Sequence, residues 1–213
     1  MTETFRGWPI AALDFYAKLE ANNSRDWWLA NKASYDECVK APFLALSPLV
    51  EREFGPLHMF RPNRDTRFSN DKTPYKTHCG ATAGPYYVQV GADGLMAAAG
   101  HYQMAADLVG RFRTAVDDER RGADLVKRLA AIEADGITIA GETLKTRPRG
   151  VDADHPRLEL MRHKSLYGWR RWPPDDVLHE AGAVHRVASA WRSLRPLTEW
   201  LDDHVGPSEL PRR

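Results

Sequence analysis

The chain has 213 residues, 43% of them hydrophobic and 28% charged, with a formal net charge of +1. That length supports one well-buried core, or two small ones sharing an interface. Near-neutral charge argues against the broad cationic footprint of a general nucleic-acid binder, so any anion site must be local. The two cysteines, Cys38 and Cys79, stand far apart without CxxC spacing. This disfavours a disulfide framework or a structural zinc site and fits a reducing compartment. The first residues carry Glu3 and Asp14 and lack a basic stretch leading into an apolar one, so no signal peptide is expected. No run approaches the ~18 uninterrupted apolar residues of a membrane span. The expectation is a cytoplasmic protein with no membrane partner.

The first third reads as helical. Pro9 suits a first helical turn, and Leu13, Tyr16 and Leu19 recur at helical spacing until Asn22 and Asn23 break the pattern. Asn23 or Ser24 can cap a second helix that carries Trp27, Trp28, Asn31 and Tyr35. One of the adjacent tryptophans should face the core and the other a rim. Pro42 then opens a third helix, ending at Gly55-Pro56. Leu57 to Phe60 is a short apolar run. Further on, Tyr86, Val88 and Val90 alternate with Tyr87 and Gln89, the two-residue period of a half-buried strand. Gly91-Ala92-Asp93-Gly94 is a hairpin turn signal, and Leu95 to Tyr102 is the returning strand.

Helices resume near Met104, with one stripe of Leu108, Phe112 and Val116 and another of Leu125, Leu129 and Ile132. Ile137 to Ala140 reads as a short strand. A second polar segment, Leu144 to Ser165, is dense in cations, Pro and Gly. The C-terminal part is helical through Val187, Trp191 and Leu194, and Pro196 opens a last helix. With no repeat and no linker, the reading is a single α+β domain over 1–213: an antiparallel sheet with flanking helices, a helical N-terminal third and a C-terminal helix.

The segment from Arg61 to His78 departs most from core-building sequence. It holds Arg61, Arg64, Arg67, Lys72 and Lys76 with two carboxylates, Asp65 and Asp71, and only Phe68 and Tyr75 as large apolar anchors. Pro62 biases Arg61 toward extended geometry, leaving Arg64 and Arg67 to share a turn. Ser69-Asn70-Asp71 and Thr73-Pro74 are turn chemistry. Two readings follow. In the first, Arg64 and Arg67 clamp a carboxylate or phosphate while Lys72 or Lys76 adds a point charge. Asp65 then orients an arginine or moves a proton, and Tyr75 or His78 donates to a developing charge. In the second, an Arg–Asp network pins a long loop and binds nothing. The absence of glycine rules out a Walker A phosphate loop.

Arg61-x-x-Arg64-Asp65-x-Arg67-Phe68 and Asp71-Lys72-x-Pro74-Tyr75-Lys76-Thr77 together resemble the signature of a bacterial and fungal family of proteins, domain-of-unknown-function family 2461. Further blocks carry the resemblance: Leu19 to Asn23 with Arg25-x-Trp27, Asn31-Lys32-x-x-Tyr35, Ala41-Pro42-Phe43, Tyr87-Val88-Gln89, Arg147 to Gly150, Asp154-His155-Pro156 and Lys164-Ser165. The likeness is clearest over about 5–169, and Trp28 stands where the family pattern has phenylalanine. The resemblance implies one module of about this length and brings no reaction with it. A signature this polar implies fixed geometry around something, and so favours the ligand-site reading.

The resulting expectation is a small anionic ligand (phosphate, nucleotide or carboxylate) bound by Arg64, Arg67, Lys72 and Lys76. Arg149 and His155 would complete the pocket from the second polar segment, and Asp65, Tyr75 and His78 are the candidates for chemistry. Lys164 either reaches that site or pairs with Glu159 or Glu180. The alternatives are a non-enzymatic interaction or nucleic-acid-binding module, or a purely structural Arg–Asp network. No metal site is indicated, because the histidines are scattered. The sequence names no cofactor and fixes no oligomeric state.

Overall fold

The computed structural model describes residues 4–67 and 70–210. Helices α1 (Ile10–Ala21), α2 (Arg25–Tyr35) and α3 (Ala41–Phe54) come first. They are followed by strands β1 (His58–Met59), β2 (His78–Ala83), β3 (Tyr86–Gly91) and β4 (Gly94–His101). The order continues with α4 (Ala106–Asp117), α5 (Glu119–Ala134), β5 (Thr138–Ala140), α6 (Leu158–Met161), β6 (Leu166–Trp172) and α7 (Ala183–His204). The fold is α+β, with a six-stranded antiparallel sheet in the order β1-β2-β3-β4-β6-β5. The chain forms two compact units, Met1–Ala97 with Arg171–Ser189 and Ala98–Arg170 with Ala190–Arg213. Among the described residues, no helix is long and apolar enough to cross a membrane.

In the first unit the helices cover one face of β2 and β3. Cys79, Ala81 and Ala83 on β2, and Tyr86, Val88 and Val90 on β3, point to that face and are buried. Phe54 of α3 meets Tyr86 edge-on at 5.0 Å, and Phe15 of α1 sits among Trp28 and Tyr35 at 5.7 Å from each. Trp28 is buried and Trp27 half-buried, the expected division between core and rim. The Ser24 hydroxyl accepts from the Trp27 N–H at 3.3 Å and caps α2. Burial pushes the Cys79 thiol up to about 11. It also pushes the hydroxyls of Tyr16 and Tyr35 upward, with Cys79 beside them adding to the shift.

Two helix boundaries differ from expectation, both at proline. A third helix does not start afresh at Pro42; a π turn, Asp36–Lys40, carries α2 into α3 without a break. The Ala41 N–H donates to the Asp36 carbonyl, and this wider turn gives the Pro42 ring room that an ordinary helical turn would deny it. Likewise Pro196 opens no new helix. It sits inside α7, which continues to His204.

In the second unit, α4 and α5 pack their predicted stripes: Leu108, Phe112 and Val116, and Leu125, Leu129 and Ile132, are all buried. The Asp118 carboxylate accepts from the Arg121 N–H at 2.8 Å and caps α5. Strands β2 and β6 were not anticipated from the sequence; β5 was.

Candidate functional site

The Arg61–His78 segment is the outer part of an antiparallel ribbon. Beyond β1 and β2, the Phe60 N–H donates to the Gly80 carbonyl at 2.9 Å, Lys76 to Pro62 at 2.8 Å and Arg64 to Pro74 at 2.9 Å. Asn63 and Tyr75 face each other as a bridge. Pro62 and Pro74 offer only carbonyls to this ladder, so their missing N–H groups cost it nothing. Tyr75 is buried and stacks on Trp28 with centroids 4.3 Å apart and planes 11° apart. The Asn23 amide then acts like a strand neighbour: its Nδ2 donates to the Tyr75 carbonyl at 2.9 Å, and its Oδ1 accepts from the Tyr75 N–H at 3.1 Å.

At the tip, the charges satisfy one another. Arg64 donates through Nη1 to Asp71 and to Thr73, and Asp71 also accepts from the Thr73 N–H at 2.9 Å and hydroxyl at 2.8 Å. Arg67 grips Asp65 bidentately, Nε to Oδ1 at 3.0 Å and Nη2 to Oδ2 at 2.7 Å. Lys72 Nζ donates to the Thr66 carbonyl at 3.0 Å. The Arg67 guanidinium holds the Asp65 carboxyl down at about 2, and Arg64 with Thr73 does the same for Asp71. Asp65 is therefore ionised at neutral pH and has no proton to donate there. Arg67 and Asp65 are 76% and 45% exposed, so this pair is a surface contact of small energy. Phe68 and Ser69 lie outside the described residues.

A different arrangement stands at the inner end of the ribbon, on the sheet face away from the helices. The register His78↔Gly91, Gly80↔Gln89 and Thr82↔Tyr87 puts these residues on that face. A Cβ at Gly80 would fall 2.5 Å from the Tyr87 hydroxyl, so the Tyr87 ring lies across this glycine. That hydroxyl donates to Gln89 Oε1 at 2.8 Å. At Gly91, a Cβ would meet Asp93 Oδ1 at 3.1 Å and His78 Cβ at 3.3 Å. Gly94, with φ +104, lets the Trp172 carbonyl come within 2.2 Å of where a Cβ would be. This brings the end of β6 against the hairpin turn, where Arg171 pairs with Asp93 and donates to Met96 Sδ at 3.8 Å.

His78 is half-buried between these charges. Burial first, then Lys76 and Arg171, push its pKa below the ordinary imidazole value. Its ring nitrogens have no hydrogen-bond partner among the described residues, and Lys76 makes no ion pair among them. The Lys76 ammonium instead lies 5.2 Å from the Phe60 ring centroid. Lys76 and His78 were visible as candidates in the sequence. Asp93 and Arg171 were not: Asp93 read as turn chemistry, and Arg171 lies in a stretch that was not assigned as a strand.

In the second unit, His155 is committed to structure. Its Nδ1 accepts from the Arg157 N–H at 3.1 Å, leaving Nε2–H to donate to Asp117 Oδ1 at 3.1 Å. Arg157 in turn donates to the carbonyls of Val116 at 2.7 Å and Asp117 at 3.0 Å, closing the end of α4. Arg149 is exposed on the turn closed by the Val151 N–H and the Pro148 carbonyl. Arg162 donates to the carbonyls of Leu144 and Lys145 at 2.9 Å each and fixes the approach to that turn. Lys164 pairs with Glu142, not with the Glu159 or Glu180 considered from the sequence. Among the described residues, no group of three or more His, Cys, Asp or Glu side chains could hold a metal ion.

This is an α+β protein with a helix-backed antiparallel sheet and a polar ribbon leading off its edge. Residues 11–200 match the family described as "Conserved hypothetical protein (DUF2461)", and the chain belongs to that family. No curated protein matches the sequence. The family description names no reaction, and function has to be argued from the site.

Proposed function

We propose that the polar end of the sheet, around Lys76, His78 and Arg171, binds a small anion: a phosphorylated metabolite, a nucleotide or an organic carboxylate. The observation that carries this reading is a half-buried lysine, Lys76, whose ammonium has no carboxylate partner among the described residues, beside an imidazole whose nitrogens are also unpartnered there. A cation kept partly from water without a counter-charge is unfavourable, and an anion relieves this. Arg171, held by Asp93, adds a second positive charge beside His78. His78, neutral at pH 7, accepts a proton or a hydrogen bond. Arg64, Arg67 and Lys72 shape the ribbon and stay bound to their internal partners.

The test is thermal shift and calorimetry with inorganic phosphate, nucleoside monophosphates and di- or tricarboxylates. Lys76→Ala and His78→Gln should abolish the stabilisation that one of these anions gives, while Arg67→Ala keeps it. Affinity should rise as pH falls through the range, below the ordinary imidazole value, in which His78 takes up its proton, because a bound anion favours the charged imidazole. If none of these anions stabilises the protein, or if Arg67→Ala removes binding while Lys76→Ala keeps it, the reading fails.

One observation favours a second reading, contact with a nucleic-acid backbone. Lys145, Arg147 and Arg149 are exposed, and their side-chain charges have no partner among the described residues. That reading requires affinity to fall with salt at a slope of about −0.7 to −0.9 per phosphate contact.

A further inference from the structure

A cavity of about 430 Å³ lies in the first unit, between the segment before α1 and the helical run where α2 passes into α3. Its walls include Phe5, Arg6 and Gly7 on one side and Glu37, Pro42 and Ala45 on the other. Both walls are fixed. Gly7 has φ +92, and a Cβ there would come within 2.4 to 2.6 Å of the His179 and Glu180 backbone, so the chain can pass only as glycine. The next residue is tied down as well: the Trp8 N–H donates to the Leu178 carbonyl at 3.0 Å, and His179 Nδ1–H donates to the Trp8 carbonyl at 2.7 Å. Phe5 is buried edge-on against Trp8, 5.2 Å between centroids, and Trp8 likewise against Phe43. Glu37 stands on the π turn, a distortion that recurs at ligand sites.

The two charges of this cavity are opposite and unused. Among the described residues, neither Arg6 nor Glu37 takes part in an ion pair or a side-chain hydrogen bond. Neither pairs with the other, although they line one cavity. Both are exposed, so neither is needed to hold the fold.

We infer that this cavity binds a free α-amino acid with an apolar side chain. Its carboxylate lies against the Arg6 guanidinium, its ammonium against the Glu37 carboxylate, and its side chain on Phe5, Pro42 and Ala45. A planar guanidinium matches a carboxylate bidentately, and a carboxylate accepts from an ammonium, so one zwitterion satisfies both walls. The volume falls in the ordinary range for small-ligand sites, roughly 300 to 1,000 Å³. This inference is independent of the anion site at Lys76.

Calorimetry on the full chain with L-leucine, L-phenylalanine and L-methionine tests it, beside N-acetyl-L-leucine and L-leucinamide. At least one free amino acid should bind, and the two capped compounds should each lose at least about tenfold in affinity, the effect of deleting one charged hydrogen-bonding group. Arg6→Gln and Glu37→Gln should reproduce those losses with unchanged melting temperatures, and Lys76→Ala should have no effect. No heat of binding from any of the three at millimolar concentration overturns the inference. So does equal binding of the capped compounds, which is measured on the wild-type chain and does not depend on any variant folding.

Discussion

The base and the tip of the ribbon use similar residues for opposite ends. At the base, Tyr75 is stacked on Trp28 and its backbone is held by Asn23. At the tip, Arg67 pairs with Asp65 in the open, and the half-buried Arg64 pairs with an exposed Asp71. The difference teaches that a polar, recognisable segment need not be one site. One part of it anchors the chain and another neutralises itself, and Lys76, half-buried and without an ion pair among the described residues, stands at the inner boundary. Charge density located the region, whereas lack of a partner locates the candidate chemistry.

The largest effect expected is at the base. Trp28→Ala removes both the stack on Tyr75 and a wall of the core, and should cost about 3–5 kcal/mol in denaturant unfolding. A loss under about 1 kcal/mol would put the base on the same footing as the tip. Next, Asn23→Ala leaves the Tyr75 N–H and carbonyl without their partners and should cost about 1–3 kcal/mol. Asn23→Asp, which keeps the acceptor and loses the donor, should fall between it and the wild type.

A smaller effect separates the inner end from both. His78 is depressed in the folded chain, so the unfolded chain binds more protons as pH falls through about 6.5. Stability contributed by the neutral ring is present above that pH, declines below it and levels off under the folded value. His78→Gln should flatten this part of the pH–stability curve, and an unchanged curve would remove His78 from the charged cluster. The smallest effect is at the tip. Asp65 and Asp71 are both held down at about 2, so any contribution is present above about 3.9 and is lost as pH falls through about 2. Asp65→Asn should leave the melting temperature at pH 7 unchanged, and a clear drop would show that the tip braces the fold.

The helices and the β3–β4 hairpin were legible because their periods of 3.6 and 2 are written in apolar side chains. Strand β2 was hidden because His78-Cys79-Gly80-Ala81-Thr82-Ala83 is built from small residues, chosen for what lies over them: Gly80 for the Tyr87 ring, the alanines for the helices. Strand β6 was hidden by Arg170 and Arg171, cations that sit in a strand because one of them answers Asp93. The continuous run from α2 into α3 was missed because proline normally marks a helix start, and only the π turn accommodates it. For the site, Lys76 and His78 announced themselves by type. Arg171 could not, since its place depends on how closely Trp172 approaches Gly94, a distance set by tertiary packing.

The Cys79 thiol carries a consequence of its own. Held up at about 11 beneath the helices, it is a thiolate only about one part in a thousand at pH 8. Cys38 is half-exposed on the π turn. A chain labelled with a thiol reagent therefore contains its own stopwatch. Cys38 records the speed of the reagent, and Cys79 records how often the helical layer lifts from the sheet.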